Sequence, residues 1–407
     1  MKLSKWLRVR MRKGASIAMP SNVTPSHALR DVPEYPFARW GEQCKRVESR
    51  GLDVIRLDIG NPDLPPPSSV VDALCEAVRL PKAHRYPGYR GTEAFREAVC
   101  HYYQRRFAVS LEADTQVTTL LGSKEGIVHL QRAHLDPGDL VLVPDPGYTP
   151  YDAGARMAGA AVARFPLTRD GLPDFAAIPA CVARRAKVLW LNYPNNPTAA
   201  VAGRRELEQA VAFSLKHNLL LCHDAPYVDV CFGNCRPLSI LQVPGALDVA
   251  VEFNSLSKTY NMPGWRIGYA VGNREALWLL RQVKSNIDSG MFLPLQSAAI
   301  AALSINERWI DERNTVYKER LDLLAASFTH AGVAATAPLA THYLWIPTPN
   351  AQPAEAFATR LLDETGVATA PGTFFGPGGE GFIRVSATAP AEQIQEAAKR
   401  LSSWRNI

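Results

Sequence analysis

The chain contains no run of about 18 or more apolar residues, which removes a membrane-spanning helix from consideration. It also lacks the apolar core of roughly 7–15 residues that a secretory signal needs near its start, so none is expected. Cysteine is sparse. The seven cysteines, at 44, 75, 100, 181, 222, 231 and 235, are odd in number and include no Cys-x-x-Cys pair. That argues against a disulfide frame and for a reducing, cytoplasmic compartment. Cys231-Phe-Gly-Asn-Cys235 has a spacing that zinc could use, but no second ligand pair follows it, so buried thiols and no metal are the expectation. Internal repeats and low-complexity tracts are missing as well.

Acidic residues are missing from positions 1–30, which carry seven basic ones: Lys2, Lys5, Arg8, Arg10, Arg12, Lys13 and Arg30. The remainder has 38 basic against 39 acidic residues, a body close to neutrality, which speaks against a nucleic-acid partner. Leu3, Trp6, Leu7 and Met11 fall at helical spacing among the basic residues and would suit a surface-binding amphipathic helix. The plainer reading, and the one preferred, is a loose or dimer-clasping basic arm over 1–30, or a start site placed too far upstream.

A length of 407 residues is too long for one ordinary core and short for three domains. Short apolar runs at Leu140–Val143, Val188–Leu191, Leu219–Cys222, Val249–Phe253 and Ile267–Val271 read as strands. They alternate with helical patterns such as Arg204–His217 and Ala276–Lys284, which predicts an α/β fold with a mostly parallel, doubly wound sheet. The proline-rich Asp63–Pro67 stretch marks a boundary. A long helical pattern over Arg308–His330 leads to strands near Tyr343–Ile346 and Phe382–Val385 and a terminal helix. The expected division is a large domain over 63–305 and a smaller α+β domain built from 31–62 and 306–407.

Polar groups stand where three of these strands end. The first runs into Asn192-Tyr-Pro-Asn-Asn196-Pro-Thr198, the second into His223-Asp224-Ala-Pro-Tyr227, and the third into Asn254-Ser255-Leu-Ser257-Lys258. Ligands of open parallel sheets bind outside the carboxyl ends of the strands, so these groups can converge on one molecule. A lysine, an aspartate and a phosphate cradle together suit pyridoxal 5′-phosphate (PLP). Its aldehyde forms an imine with a lysine amine, and its pyridine nitrogen stays protonated, and the ring electron-withdrawing, only against a carboxylate. Gly122-Ser123-Lys124 opens a helical pattern and suits an anion. Ser255 and Arg266 flank the lysine, and Arg266 can contact a phosphate in bidentate fashion. Each motif alone is commonplace in turns and caps; their joint order is not.

With those motifs in view, the chain resembles the class I/II aminotransferases of PLP fold type I. It is most similar to the branch holding LL-diaminopimelate aminotransferase-like and aspartate aminotransferase-like enzymes. The resemblance covers roughly Tyr35 to Arg400 and rests further on Asp58-Ile-Gly-Asn-Pro-Asp63, Tyr86-Pro-Gly-Tyr-Arg-Gly91, Pro144-Asp-Pro-Gly-Tyr148-Thr-Pro-Tyr151 and Ile383-Arg384-Val-Ser386. It implies that Lys258 holds PLP as an aldimine and shuttles the α-proton, with Asp224 and Tyr227 as further catalytic residues. Asp224 would pair with the ring nitrogen, Asn196 and Tyr227 with the ring hydroxyl oxygen, and Tyr148 would stack on the ring. Ser123, Lys124, Ser255 and Arg266 would hold the phosphate, and Tyr86 would reach the phosphate of a neighbouring subunit in a homodimer. Arg384 would clamp the substrate α-carboxylate with a planar fork, with Gly60 and Asn196 beside it. Tyr151 is expected to be a core aromatic.

The implied reaction moves an amino group from an L-amino acid to a 2-oxo acid. The alternative is another fold-type I reaction on an amino acid, by a lyase, cyclase, decarboxylase or oxidase, and a non-enzymatic sensor domain lacks a DNA-binding extension here. Ser285-Asn-Ile-Asp-Ser-Gly-Met-Phe292 corresponds to the stretch that meets a distal carboxylate in dicarboxylate-using relatives and contains no basic residue. That tells against aspartate and glutamate as tightest substrates, and leaves Asp288 to meet a distal amine or to cap a helix.

Overall fold

The computed structural model describes residues 23–404. The basic segment whose helical spacing was noted above lies almost wholly outside them. The strands in chain order are β1 (Ile55–Arg56), β2 (Val117–Leu120), β3 (Leu140–Asp145), β4 (Ala161–Pro166), β5 (Ala186–Asn192), β6 (Leu220–Asp224), β7 (Ala250–Ser255), β8 (Gly268–Gly272), β9 (Tyr343–Pro347), β10 (Val367–Ala368), β11 (Ala370–Pro371) and β12 (Phe382–Ser386).

Seven of them form one sheet in the order β2-β8-β7-β6-β5-β3-β4. The pairings from β7 through β4 are parallel, and β8 runs antiparallel to both its neighbours. Helices cover both faces, so β3, β5, β6 and β7 are buried almost throughout and are mostly apolar, with polar residues gathered towards the ends of β5, β6 and β7. The fold is therefore the expected α/β class. The sequence reading missed β2 and β4. Half of β2 is threonine, buried although polar, and β4 is an edge strand carrying Arg164.

The crossover helices start and stop where local chemistry dictates. Helix Arg204–His217 begins with the Glu206 carboxylate accepting from the Gly203 N–H at 2.9 Å and ends at Asn218 in the left-handed region, φ 54°. Helix Arg274–Ser285 begins with the Asn273 side chain accepting from the Ala276 N–H at 2.9 Å.

A second core gathers Trp40, Leu57 and other residues near the start with Tyr317, Phe328, Phe357 and Leu401 near the end. Within it β1 pairs with β10 in parallel, and β11, β12 and β9 form an antiparallel sheet. Helix Glu307–His330 spans both cores: Trp309 and Ile310 pack against the core around the large sheet, whereas Tyr317, Leu321 and Phe328 belong to the second core. Among the described residues no helix is long and apolar enough to cross a membrane.

Candidate active site

Parallel pairing brings the ends of β5, β6 and β7 side by side: Asn192 lies opposite Asp224, and Asp224 opposite Phe253. A cavity of about 450 Å³ opens above them, between the large sheet and the second core. Gly60, Ser123, Lys124, Tyr148, Asn196, Asp224, Tyr227, Ser255, Lys258, Arg266 and Arg384 all line it. Tyr86 does not; it stands 88% exposed on its turn, away from this protomer's own cavity.

Lys258 sits in the short helix Leu256–Thr259, which is capped by Ser255 accepting from the Ser257 N–H. Its Nζ donates to the Gly60 carbonyl at 2.5 Å. Burial lowers its pKa, helped by the positive charges of Arg384 and Arg266 and opposed by Tyr343 and Asp224. The amine is thus biased towards its neutral, nucleophilic form.

Asp224 is buried at the end of β6. The Tyr151 hydroxyl donates to its Oδ2 at 2.7 Å, while Oδ1 has no partner among the described residues. Burial pushes its carboxyl up to about 6, against the lowering effects of the Tyr151 hydrogen bond, His223 and Lys258. A buried carboxylate with one oxygen held and one free fits a protonated ring nitrogen better than any partner within the chain.

At the other end, Gly122 adopts φ +78° and opens helix Ser123–His134. A Cβ on Gly122 would lie 2.2 Å from an Arg266 guanidinium nitrogen, and one on Gly268 would lie 2.8 Å from the Ser123 amide nitrogen. These glycines let backbone amides, the Ser123 and Ser255 hydroxyls and Arg266 face one small space, as a phosphate requires. The lysine, the aspartate and this cradle therefore fit PLP. Lys124 is the looser member: its Nζ lies 4.9 Å over the Tyr35 ring, and burial followed by Arg266 lowers its pKa.

Arg384, on β12, is held before any substrate arrives. One guanidinium nitrogen donates to Asn196 Oδ1 at 2.7 Å and another to the Asp58 carbonyl at 2.7 Å. Its plane lies against the Tyr343 ring at 4.2 Å and Phe375 at 4.7 Å, and its Nε has no partner among the described residues. A fork fixed in this way loses little side-chain entropy when it meets a carboxylate.

Several functional groups escaped the sequence reading. Tyr343 hydrogen-bonds Tyr227 through their hydroxyls at 2.9 Å, and a Cβ on Gly60 would come within 1.9 Å of its oxygen. Burial pushes the Tyr343 hydroxyl up, but Lys258, Arg384 and the Tyr227 hydrogen bond outweigh that and lower its pKa. Asn192 donates to the Asp224 carbonyl at 2.7 Å and accepts from the Asn196 N–H at 2.7 Å, which fixes two site segments to each other. Tyr151 is the core aromatic expected, and it also reaches the site. It is buried and stacked on Trp190 at 4.8 Å, but its hydroxyl serves Asp224. Asp288 does not line this cavity; its oxygens accept from Lys284 and from the Gly290 N–H.

This arrangement, a buried lysine and aspartate under a phosphate cradle with a fixed arginine fork, defines a class of PLP enzymes acting on amino acids. The family model for aminotransferase class I and II matches residues 52–401. The LL-diaminopimelate aminotransferase of Dehalococcoides mccartyi is 45% identical over 383 residues, 94% of this chain and 99% of that protein. That of Aquifex aeolicus is 43% identical over 93% of this chain and 99% of its own. Among solved structures, a probable N-succinyldiaminopimelate aminotransferase from Thermus thermophilus superposes with a TM-score of 0.86 at 40% identity, covering 90% of this chain and 99% of that one. Substrate-bound BacF from Bacillus subtilis gives 0.88 at 36% identity, covering 94% and 97%.

The chain belongs to the class I and II aminotransferases. It is a PLP-dependent enzyme of fold type I that transfers an amino group from an amino acid to a 2-oxo acid. The alternative of a lyase, cyclase or oxidase is not favoured.

Proposed function

We propose that this aminotransferase takes its amino group from an L-amino acid with a long polar side chain, LL-diaminopimelate being the first donor to test. The observation that carries the site assignment is the convergence of the Lys258 amine, the free Oδ1 of Asp224 and the preset fork of Arg384 on one cavity. The donor is suggested by the names of the relatives. Arg384 binds the α-carboxylate, with Asn196 and the Gly60 backbone setting its position. Lys258 Nζ holds the cofactor and, once released, moves the proton from the substrate α-carbon. Asp224 keeps the ring nitrogen protonated, Asn196 and Tyr227 face the ring hydroxyl oxygen, and Tyr148 covers the ring. Ser123, Lys124, Ser255 and Arg266 hold the phosphate. The bound cofactor supplies a carbonyl that condenses with amines and a ring that withdraws electrons from the α-carbon. The division into 63–305 and the paired segments 31–62 and 306–407 belongs to the same reading, and the core that joins residues 40–57 to residues 317–404 supports it.

The test is a half-reaction. PLP-loaded enzyme mixed with LL-diaminopimelate, without an oxo acid, should release one equivalent of oxo product per site and then stop with the cofactor in its amine form. A diamine lacking the α-carboxylates should not react. Continued product release without an acceptor would mean a lyase or an oxidase.

We infer further that the working unit is a homodimer in which Tyr86 meets the neighbour's phosphate. An 88% exposed tyrosine on a Pro-Gly turn, outside its own cavity, supports this. Mixed and refolded Tyr86→Phe and Lys258→Ala subunits should regain activity, because one site of each heterodimer then has both groups intact. Heterodimers confirmed by mass but no more active than the parents would refute site sharing. We assign the enzyme to the cytoplasm, where its unpaired cysteines stay reduced; recovery from another fraction of its host cell would end that assignment.

A further inference from the structure

Lys284 is a buried ammonium that the mechanism above does not use. It lies in helix Arg274–Ser285 with 2% of its side chain exposed. Its Nζ donates to Glu125 Oε1 at 2.6 Å and to Asp288 Oδ2 at 2.9 Å. The carboxylates of Glu125 and Asp288 and the His129 ring come close enough together to ligate an ion. Their charge is met instead by this lysine, which is costly to bury and is retained only where both partners are fixed.

Both partners are fixed, and one leads to the cofactor. Glu125 is the third residue of helix Ser123–His134 and turns back to accept from the Leu121 N–H at 2.9 Å through the same Oε1 that Lys284 holds. Leu121 precedes Gly122, so this bond sets the turn that aims the Ser123 amide and hydroxyl. On the far side, Asp288 Oδ1 accepts from the Gly290 N–H at 2.8 Å. Gly290 in turn packs so tightly on the Gly88 carbonyl that a Cβ there would lie 2.1 Å from it. The ammonium is therefore pinned from behind and cannot swing away from Glu125.

We propose that Lys284 is a positioning residue for the cofactor phosphate, acting through Glu125 on the Leu121–Ser123 turn. This rests on reading that turn as the phosphate cradle. Without the ammonium, Glu125 and Asp288 repel across the gap, Glu125 leaves the Leu121 N–H, and the turn loosens. The phosphate-bearing cofactor should suffer and its phosphate-free analogue should not.

The experiment is a titration of the apoenzyme with pyridoxal phosphate and, separately, with pyridoxal. The wild type should prefer pyridoxal phosphate strongly; if it does not, the cradle reading itself fails, whatever Lys284 does. Lys284→Met should weaken pyridoxal phosphate about tenfold, the scale of a lost hydrogen bond to a charged group, and leave pyridoxal unchanged. Lys284→Met with Glu125→Gln should recover part of that loss, since the unpaired carboxylate is gone while an oxygen for the Leu121 N–H remains. An unchanged preference in Lys284→Met, or equal weakening of both ligands, overturns the proposal. If Lys284→Met does not fold, Glu125→Leu carries the test, since it takes away the oxygen that holds the Leu121 N–H: a several-fold loss confined to pyridoxal phosphate supports the link, and an unchanged ratio refutes it.

Discussion

On the roles proposed for it, Lys258→Ala should lose turnover by about 10⁴-fold or more, because one substitution would remove both the amine that holds the cofactor and the base that moves the α-proton. The cofactor still binds, since the phosphate cradle and Asp224 remain, but it washes out on dialysis. Borohydride reduction followed by peptide mass analysis reads this directly. The wild type carries the cofactor mass on the peptide containing Lys258, and the variant carries none. A variant that still turns over at a tenth of the wild-type rate, or a wild type labelled at Lys124 or Lys284, would move the chemistry away from Lys258.

Asp224→Asn has the next largest effect. Shape and burial are preserved and only the charge goes, so turnover should fall by about 10²–10³-fold, the scale of a lost preorganised charge, while cofactor affinity changes less than turnover does. Stability moves the other way. Because burial raises the Asp224 carboxyl to about 6, the folded apoprotein binds more protons than the unfolded chain between the ordinary aspartate value and that one. Apoprotein stability therefore falls as pH rises through that window, and the deficit persists above it. Asn at 224 removes the deficit, so the variant apoprotein should resist denaturant better at neutral pH, by about 1–3 kcal/mol. Tyr151→Phe tests the same carboxylate from its other oxygen. The Tyr151 hydrogen bond lowers the Asp224 pKa, so losing it should move the acid limb of the rate profile to higher pH. An unmoved limb, with turnover of Asp224→Asn within twofold of wild type, would show that the carboxylate does not govern the ring.

What the sequence disclosed and what it hid follow a physical division. Lys258, Asp224, Asn196 and Ser255 lie at the ends of β5, β6 and β7 or just after them, and Arg266 just before β8, where strand alternation and local motif suffice to place them. Arg384 and Gly60 could be named from their motifs, although their approach to the site depends on the second core. Tyr343 had no such signal. It meets Tyr227 from 116 residues away, and only the pairing of β9 with β12 brings it there. Tyr151 lies in the core as expected, but its bond to Asp224 was hidden for a different reason: an aromatic ring that stacks in a core and a hydroxyl that reaches a site look identical in sequence. The buried strand β2 was passed over because Thr118 and Thr119 mask its apolar character, and β4 because an edge strand is buried on alternate residues only.

The parallel pair β1 and β10 has a consequence for the making of the protein. Ile55 meets Val367, so the ribosome must add 312 residues before the first strand finds its partner. At ordinary rates of translation that interval is on the order of tens of seconds. The seven-stranded sheet ends at Gly272 and is fully synthesised well within it. Trp40, Leu57 and their neighbours meanwhile leave the exit tunnel without the core that will cover them. The apolar residues at 40–57 thus stay uncovered until residues about 300 positions later are made, whereas every strand of the large sheet is complete by Gly272.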